Sequence, residues 1–420
     1  MALSGPVLVV SDEANDVCDA LTRGGNLPMR EIVAAGAVAA VAKTKPSAIV
    51  LAGCSEEIAH AIARKAAKLE GPIVPILAVV QDSAPAFANA LPIPADDVAT
   101  RLVPRLRAAL RVRALHAAVL RRAEELAERL DTPDLPETDP IEDATVLVAG
   151  RGRNYPALTV AVGERIGLIG ALSIETARSY LGARDIDGVV IGDGFNRSTV
   201  EDFVEELASD PRWRDLPVIV PRDAARDLDP ERMPNVDPVS GDPQAIAAHI
   251  LPFARMHAFA ARLKRVTASL DQKGVVAPDT GLLTRVAFLG ELEHAANAAS
   301  RGAGLSLARL TFDCFANRRA SMDAARITAR LLRASDLACR DEDGTILIAF
   351  PETDLVTAHV VARRIASVLK HTTLAVGAER TRLGPTVALA AFRPRDTVDT
   401  LIARTADQRA GVSAEARSAT

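Results

Sequence analysis

The chain is expected to fold as an α/β protein, with two doubly wound parallel units in tandem and a third unit behind them. Three observations carry this expectation. The sequence repeats itself at a period of about 140 residues: Val7-Leu8-Val9-Val10 and Val146-Leu147-Val148-Ala149 open the two units, and Ala48–Ala52 and Gly188–Gly192 are later apolar runs in matching places. Within each unit, short apolar runs alternate with amphipathic stretches, the pattern of parallel strands covered by helices. Each unit then closes on a long Arg-rich helix, from about Ala95 to Leu130 and from about Pro243 to Gln272.

The first of these helices carries Leu106, Leu110, Leu115, Leu120, Leu126 and Leu130 on one stripe, with Pro104 as an expected kink. The stretch Asp131–Pro140 that follows is rich in proline and acid and cannot build a core, so it reads as a linker. The expected organisation is therefore a first unit over 1–115, a helix and linker over 116–142, a second unit over 143–257, a linker helix over 258–278, a third unit over 279–412 and a tail over 413–420.

A chain of 420 residues suffices for three domains, each with its own core. Its net charge of -4 gives no overall drive toward nucleic acid or anionic lipid, so any nucleotide binding must be local. Cys18, Cys54, Cys314 and Cys339 are scattered, with no metal-ligand spacing, and read as reduced thiols. The seven histidines, His60, His116, His249, His257, His294, His359 and His371, are equally dispersed and read as structural or surface residues, and Trp213 as a packing residue beside the strand at Val218. Met1 leads straight into the first strand-like run, and no apolar run is long enough to span a bilayer, so a soluble cytoplasmic protein is expected.

The two repeats resemble the receiver (flavodoxin-like) domains of two-component response regulators. Val7-Leu8-Val9-Val10-Ser11-Asp12-Glu13 is similar to that family's first strand and acidic cluster, and Asp210–Val220 to the approach to its fourth strand. Receiver chemistry needs an aspartate nucleophile, acids that hold Mg²⁺, and a lysine that answers the phosphorylated state. The resemblance puts Ala52 at the nucleophile position of the first repeat and Ile93 at the lysine position. In the second repeat Gly150 and Arg151 replace the acidic pair, Gly192 stands at the nucleophile position with Asp193 one residue on, and Asp237 precedes Pro238. Both units are expected to be pseudo-receivers with no phospho-acceptor.

From Asp279 onward the chain resembles the GGDEF domain of diguanylate cyclases, which implies a nucleotidyl cyclase-like α+β fold for the third unit, and the whole order resembles PleD-type response regulators. Asp279-Thr280-Gly281-Leu282-Leu283-Thr284-Arg285-Val286-Ala287-Phe288-Leu289 is similar to the family's opening motif, while Arg333–Arg340 and Phe350–Asp354 flank the position of the signature hairpin. The chemistry of that family joins two GTP molecules with metal ions held on carboxylates. Here Thr311 and Gly344 stand at the two carboxylate positions, Glu342 and Asp343 at the two signature glycines, and Thr345 at the next acid. A carboxylate ~4 Å from a phosphate charge costs about 4 kcal/mol at an effective dielectric near 20. Asp343-Gly344 reads as a two-residue hairpin turn. The segment between Thr311 and Glu342 is about ten residues short of the family spacing, which removes the guanine-recognising Asn and Asp, and after Thr405-Ala406-Asp407 the family's Tyr-x-Ala-Lys segment is absent. No catalytic residue, metal or required cofactor is expected.

The resemblance implies one retained site. Arg333 and Asp336 match the RxxD motif at which such domains bind cyclic di-GMP, and Arg364 matches a second arginine of that site; Arg301 is a further candidate, contributed from a neighbouring subunit. The chemistry suits the residue types, since an arginine fork grips the O6/N7 edge of guanine and a carboxylate accepts from its N1/N2 edge. The plainer reading is a surface ion pair between Arg333 and Asp336, worth up to ~1 kcal/mol. The sequence thus points to a catalytically silent effector that binds cyclic di-GMP and engages regulatory proteins, as a homodimer through the long helices, without membrane or nucleic-acid contact. A nucleotide-independent scaffold and an active diguanylate cyclase are the alternatives.

Overall fold

A computed structural model describes residues 5–12, 16–24, 27–81, 89–127, 139–222, 229–239, 241–272, 274–302, 304–312, 318–371, 373–376, 379–382 and 384–406. Glu13, Cys314, Asp407, the linker over 131–138 and the tail over 413–420 lie outside these residues. The chain divides into two compact units, Met1–Arg129 with Glu137–Lys264, and Leu130–Pro136 with Arg265–Thr420.

In the first unit, strands form where every residue of an apolar run can be buried from both sides. Val7–Ser11 (β1) is the pattern case: Val7 and Val9 pack in one cluster with Val17–Arg23 (α1), while Leu8 and Val10 pack in another with Ala34–Thr44 (α2) and Glu56–Ala67 (α3). With Met29–Ile32 (β2), Ala48–Ala52 (β3), Ile76–Val80 (β4) and Ala90–Pro94 (β5) it makes a parallel sheet in the order β2-β1-β3-β4-β5. That is the flavodoxin-like doubly wound order. Val98–Ala127 (α4) follows and runs through Pro104 without interruption. Leu106 and Leu110 of its expected stripe are buried, and Leu115 and Leu120 half-buried.

After a short helix, Pro140–Asp143 (α5), the second lobe repeats the plan with Thr145–Ala149 (β6), Tyr155–Gly163 (α6), Gly167–Ala171 (β7), Ile174–Ala183 (α7), Gly188–Ile191 (β8), Arg197–Ser209 (α8), Val218–Val220 (β9), Val236–Pro238 (β10) and Pro243–Asp271 (α9). Its parallel sheet runs β7-β6-β8-β9-β10, the same order again. Trp213 packs half-buried against the core of this lobe, as expected.

The Arg-rich character of α4 has a different meaning from a solvated face, because Arg101, Arg105 and Arg113 are all buried. Arg105, fully buried, donates from Nη2 to Asp237 Oδ1 at 2.6 Å, from Nε to the Pro234 carbonyl at 3.1 Å, and from Nη1 to the Pro92 carbonyl. Arg101 reaches the Val236 carbonyl and Asp237 Oδ1, and His249 Nε2 lies 2.8 Å from Asp237 Oδ2. The ring of Phe253, on α9, lies 4.7 Å from the Arg105 guanidinium carbon and belongs to the core cluster of the first lobe. His257 meets Asp187 at 3.0 Å, and the Ile73 N–H donates to His116 Nδ1 at 3.1 Å, so these histidines have structural partners.

Burial opposes ionisation of Asp237, but Arg105 beside it and the His249 hydrogen bond outweigh burial and bring its pKa from 3.8 down to about 2. A carboxyl with a depressed folded-state pKa contributes stability above its unfolded value and loses that contribution as pH falls through the folded one. Urea unfolding of the chain should therefore lose about 2 kcal/mol of stability from this group between pH 4 and pH 2, and Asp237→Asn should abolish that portion of the pH dependence.

The second unit is built on an antiparallel sheet. Leu305–Phe312 (β11) pairs on one side with Ile346–Pro351 (β13) and on the other with Pro385–Ala391 (β16), and Leu337–Arg340 (β12) pairs with β13, giving the order β12-β13-β11-β16. Alternation along β11 and β13 is strict. Ala308, Leu310, Ile346 and Ile348 pack under Arg318–Leu331 (α11) and Leu355–His371 (α12), whereas Leu305, Leu307, Leu347 and Ala349 pack with Arg285–Ala299 (α10) and with Leu401, from helical residues 398–406. A two-stranded pair, Thr373–Val376 (β14) with Glu379–Arg382 (β15), completes it. Among the described residues no helix is long and apolar enough to cross a membrane.

Candidate functional site

The chain leaves α11 at Leu331 and enters β12 at Leu337 through a closed turn. Two reciprocal bonds make it: the Asp336 N–H donates to the Arg333 carbonyl at 3.0 Å, and the Arg333 N–H donates to Asp336 Oδ2 at 3.0 Å. An aspartate three residues on from the first backbone N–H of a turn is suited to this role. The expected ion pair between the two side chains is not the bond that forms. Arg333 is exposed, and among the described residues neither its guanidinium nor Asp336 Oδ1 has a partner. The turn thus presents an arginine fork and a carboxylate oxygen, held about one turn apart by the backbone.

Arg364 lies on the exposed face of α12, between the buried Ala362 and Ile365. It has no partner among the described residues, whereas its neighbour Arg363 donates to His359 Nε2 at 3.1 Å. Helices α11 and α12 pack on the same face of the sheet, so Arg333 and Arg364 belong to one layer, although no bond links them. Arg301 follows α10, which covers the opposite face.

The hairpin between β12 and β13 corrects one expectation. Its loop is three residues long, Glu342–Gly344, closed by the Asp341 N–H on the Thr345 carbonyl at 2.8 Å and by the Gly344 N–H on the Asp341 carbonyl at 3.0 Å. The central pair of the turn is Glu342-Asp343 rather than Asp343-Gly344, and Gly344, at φ 79°, occupies the left-handed position that follows it. The glycine at the position where the resemblance implies a carboxylate is therefore explained by backbone geometry. Asp343 Oδ1 accepts from the Thr345 N–H at 2.9 Å, and Asp341 is ion-paired with Arg285 at 3.1 Å, which anchors the hairpin to the start of α10.

Thr311 and Thr345 lie one residue beyond the last pair between β11 and β13, Leu310 with Ile346, in the alternation that faces α10, and Thr311 pairs on its other side with Thr386 of β16. Both are buried, and Thr345 Oγ1 has no hydrogen-bond partner among the described residues. Two threonines and a glycine are a poor donor set for a magnesium ion, which takes carboxylates and water. Of the acids nearby in sequence, Asp341 and Asp343 are occupied by Arg285 and the Thr345 N–H, and Glu342 is exposed at the tip of the loop. The residues present do not fit the metal pair that the cyclase resemblance implies.

In the first unit, Ala52 ends β3 and is buried, Ile93 is fully buried in β5, and the Asp12 carboxylate accepts from the Ala34 N–H at 3.0 Å, which occupies one oxygen at the start of α2. At the carboxyl ends of β8, β9 and β10, where doubly wound sheets place ligands, a cavity of about 260 Å³ is lined by Gly192, Asp193, Arg197, Pro221, Val239 and Gly241 among others. Asp193 is its one carboxylate. Its Oδ2 accepts from the Asn154 N–H at 3.2 Å and its carbonyl from the Arg151 and Gly152 N–H groups, so it fastens the loop after β8 to the loop after β6. Asp237 is committed to Arg105.

No family model matches the chain, and no curated protein matches it. Among solved structures, it is similar to the diguanylate cyclase SiaD of Pseudomonas aeruginosa, determined in complex with its activator SiaC, at 24% identity and a TM-score of 0.32 over 34% of this chain and 60% of that one. It is similar also to the coiled coil and GGDEF domain of DgcB from Caulobacter crescentus in complex with c-di-GMP, at 19% identity and a TM-score of 0.31 over 37% and 90% of the two chains. A third likeness, to the FimX GGDEF domain of Pseudomonas aeruginosa, has 14% identity and a TM-score of 0.29 over 32% and 90%.

Three substitutions at two positions test this geometry. Gly344→Ala forces a side chain into a left-handed position and should destabilise the second unit by about 1 kcal/mol, read as faster amide exchange across residues 340–346. Asp336→Ala removes the side-chain bond that closes the turn and should cost about 1 kcal/mol, with Asp336→Asn recovering most of it because the amide oxygen can still accept.

Proposed function

We propose that this chain is a catalytically silent relative of diguanylate cyclases that binds cyclic di-GMP and acts as a signalling effector or adaptor. The observation that carries the reading is the turn at Arg333–Asp336, where the exposed Arg333 guanidinium and Asp336 Oδ1 have no partners among the described residues while the backbone is fixed by two bonds. A site whose polar groups are already positioned spends little ordering entropy on its ligand. Arg333 would take the O6/N7 edge of a guanine or a phosphate, Asp336 Oδ1 the N1/N2 edge, and Arg364 a second phosphate or base.

Cyclase chemistry is disfavoured by the same residues. Thr311 and Gly344 supply no carboxylate, and Glu342 and Asp343 put negative charge at the tip where a triphosphate would have to approach. The receiver-like lobes carry Ala52 and Gly192 in place of a nucleophile and so would serve as structural and interaction modules, engaging protein partners rather than receiving phosphate. Ligand that binds one arrangement of the chain better than another shifts the population toward it by that difference in affinity, and this is how an effector without catalysis signals.

A second reading, a scaffold that needs no nucleotide, is favoured by Val356, Val360 and Val368, exposed apolar residues on α12 at the i, i+4 and i+12 positions around Arg364. Exposed stripes of this kind mark protein contacts. Calorimetric titration separates the two. Cyclic di-GMP should bind the wild-type chain at micromolar affinity or tighter, lose at least tenfold in Arg333→Ala, and lose less in Arg364→Ala; absence of heat with the wild type would leave the scaffold. Incubation with GTP and Mg²⁺ should give no cyclic di-GMP above background, and measurable turnover would overturn the pseudoenzyme reading.

A further inference from the structure

The long helices α4 and α9 can be superposed on their internal prolines. Counting from Pro104 and Pro252, Arg101 corresponds to His249 and Arg105 to Phe253; at the ends of the fifth strands, Ile93-Pro94 corresponds to Asp237-Pro238. Residues of these three matched pairs lie at the centre of the contact between the lobes of the first unit, with Arg111–Asp215, Arg107–Glu231 and His116–Phe259 also reaching across. Arg105 bridges the two sheets at their β5 and β10 edges, through the Pro92 carbonyl of its own lobe and the Pro234 carbonyl and Asp237 of the other. Phe253 in turn leaves its own lobe and completes the core cluster of the first.

We propose that the two lobes form a pseudo-dimer closed within one chain, in which matched positions have diverged into complementary partners, so that each lobe's β5-type face fits only its sister lobe. Every matched pair contributes to the fit. The first lobe supplies the cations Arg101 and Arg105, the second supplies the carboxylate, the imidazole and the aromatic ring. Pairing of two first lobes from different chains would set Arg105 against Arg105 with only Asp97, already held by Arg101, as an acid, and pairing of two second lobes would bury Asp237 against Asp237. Unpaired buried charge of this kind discriminates strongly against the wrong partner. The face is therefore closed to other copies, and whatever the chain binds must engage other surfaces.

The test is amide hydrogen exchange on the full chain. Asp237→Asn should accelerate exchange at Ala90–Pro94, in the lobe that does not carry the substitution, on the order of a hundredfold, together with Val236–Pro238. Phe253→Leu, a gentler change, should accelerate Ala90–Pro94 while leaving β6 protected. In the wild type, protection at Ala90–Pro94 should be the same over a hundredfold range of protein concentration. Acceleration confined to the substituted lobe would overturn the proposal, as would protection that rises with concentration, which would mean that the face is filled by a second copy.

Discussion

The first unit depends on one buried carboxylate. Asp237 stands at the edge of its sheet with Arg105, Arg101 and His249 around it, and each partner also satisfies, or is backed by, something else: carbonyls at the strand ends, an aromatic ring, the Asp97 carboxylate 2.9 Å from Arg101. A buried ion pair is a poor source of net stability, because desolvating both charges offsets most of their attraction. It is a strong source of specificity, because any arrangement that buries one charge without the other is penalised. The two lobes repeat one fold, so nothing in their topology distinguishes a correct pairing from a swapped one; the cluster supplies that distinction.

In the second unit the hairpin and the turn after α11 use their polar residues differently. The hairpin is maintained by bonds that engage two of its three acids, Asp341 on Arg285 and Asp343 on the Thr345 N–H, and Gly344 supplies the left-handed residue. A few residues away, the turn after α11 uses only backbone groups and a single carboxylate oxygen to hold its shape. Two of the hairpin's three carboxylates are engaged in structure, whereas the turn leaves a guanidinium and one carboxylate oxygen without partners among the described residues. That contrast is the basis of the proposed binding role.

Much of the architecture is legible in the sequence because it rests on periodicity. Continuous apolar runs such as Val7–Val10 and Val146–Ala149 can be buried only between two helical layers, whereas the third unit is placed by its motifs rather than by periodicity. The fold of each lobe and both ends of α9 follow from such patterns. The role of Arg105 does not, since an arginine on a helix of mixed composition looks the same whether it faces water or a carboxylate from a strand more than a hundred residues away. The hairpin loop was misread by one residue because Asp-Gly suits both a two-residue turn and the last two positions of a three-residue loop; only the cross-strand bond from Asp341 to Thr345 separates them. The turn at Arg333 was found by its motif, but its closure by Asp336 through the backbone, rather than through the guanidinium, is a matter of geometry that spacing does not carry.

The central claim is that a guanine dinucleotide is read at the turn after α11 and not at the hairpin. The most direct measurement is amide hydrogen exchange of the full chain with and without saturating cyclic di-GMP. The account predicts slower exchange at residues 332–337 and around Arg364 on α12, with residues 341–345 unchanged. Protection centred on the hairpin and Thr311, or none anywhere in the second unit, would contradict it.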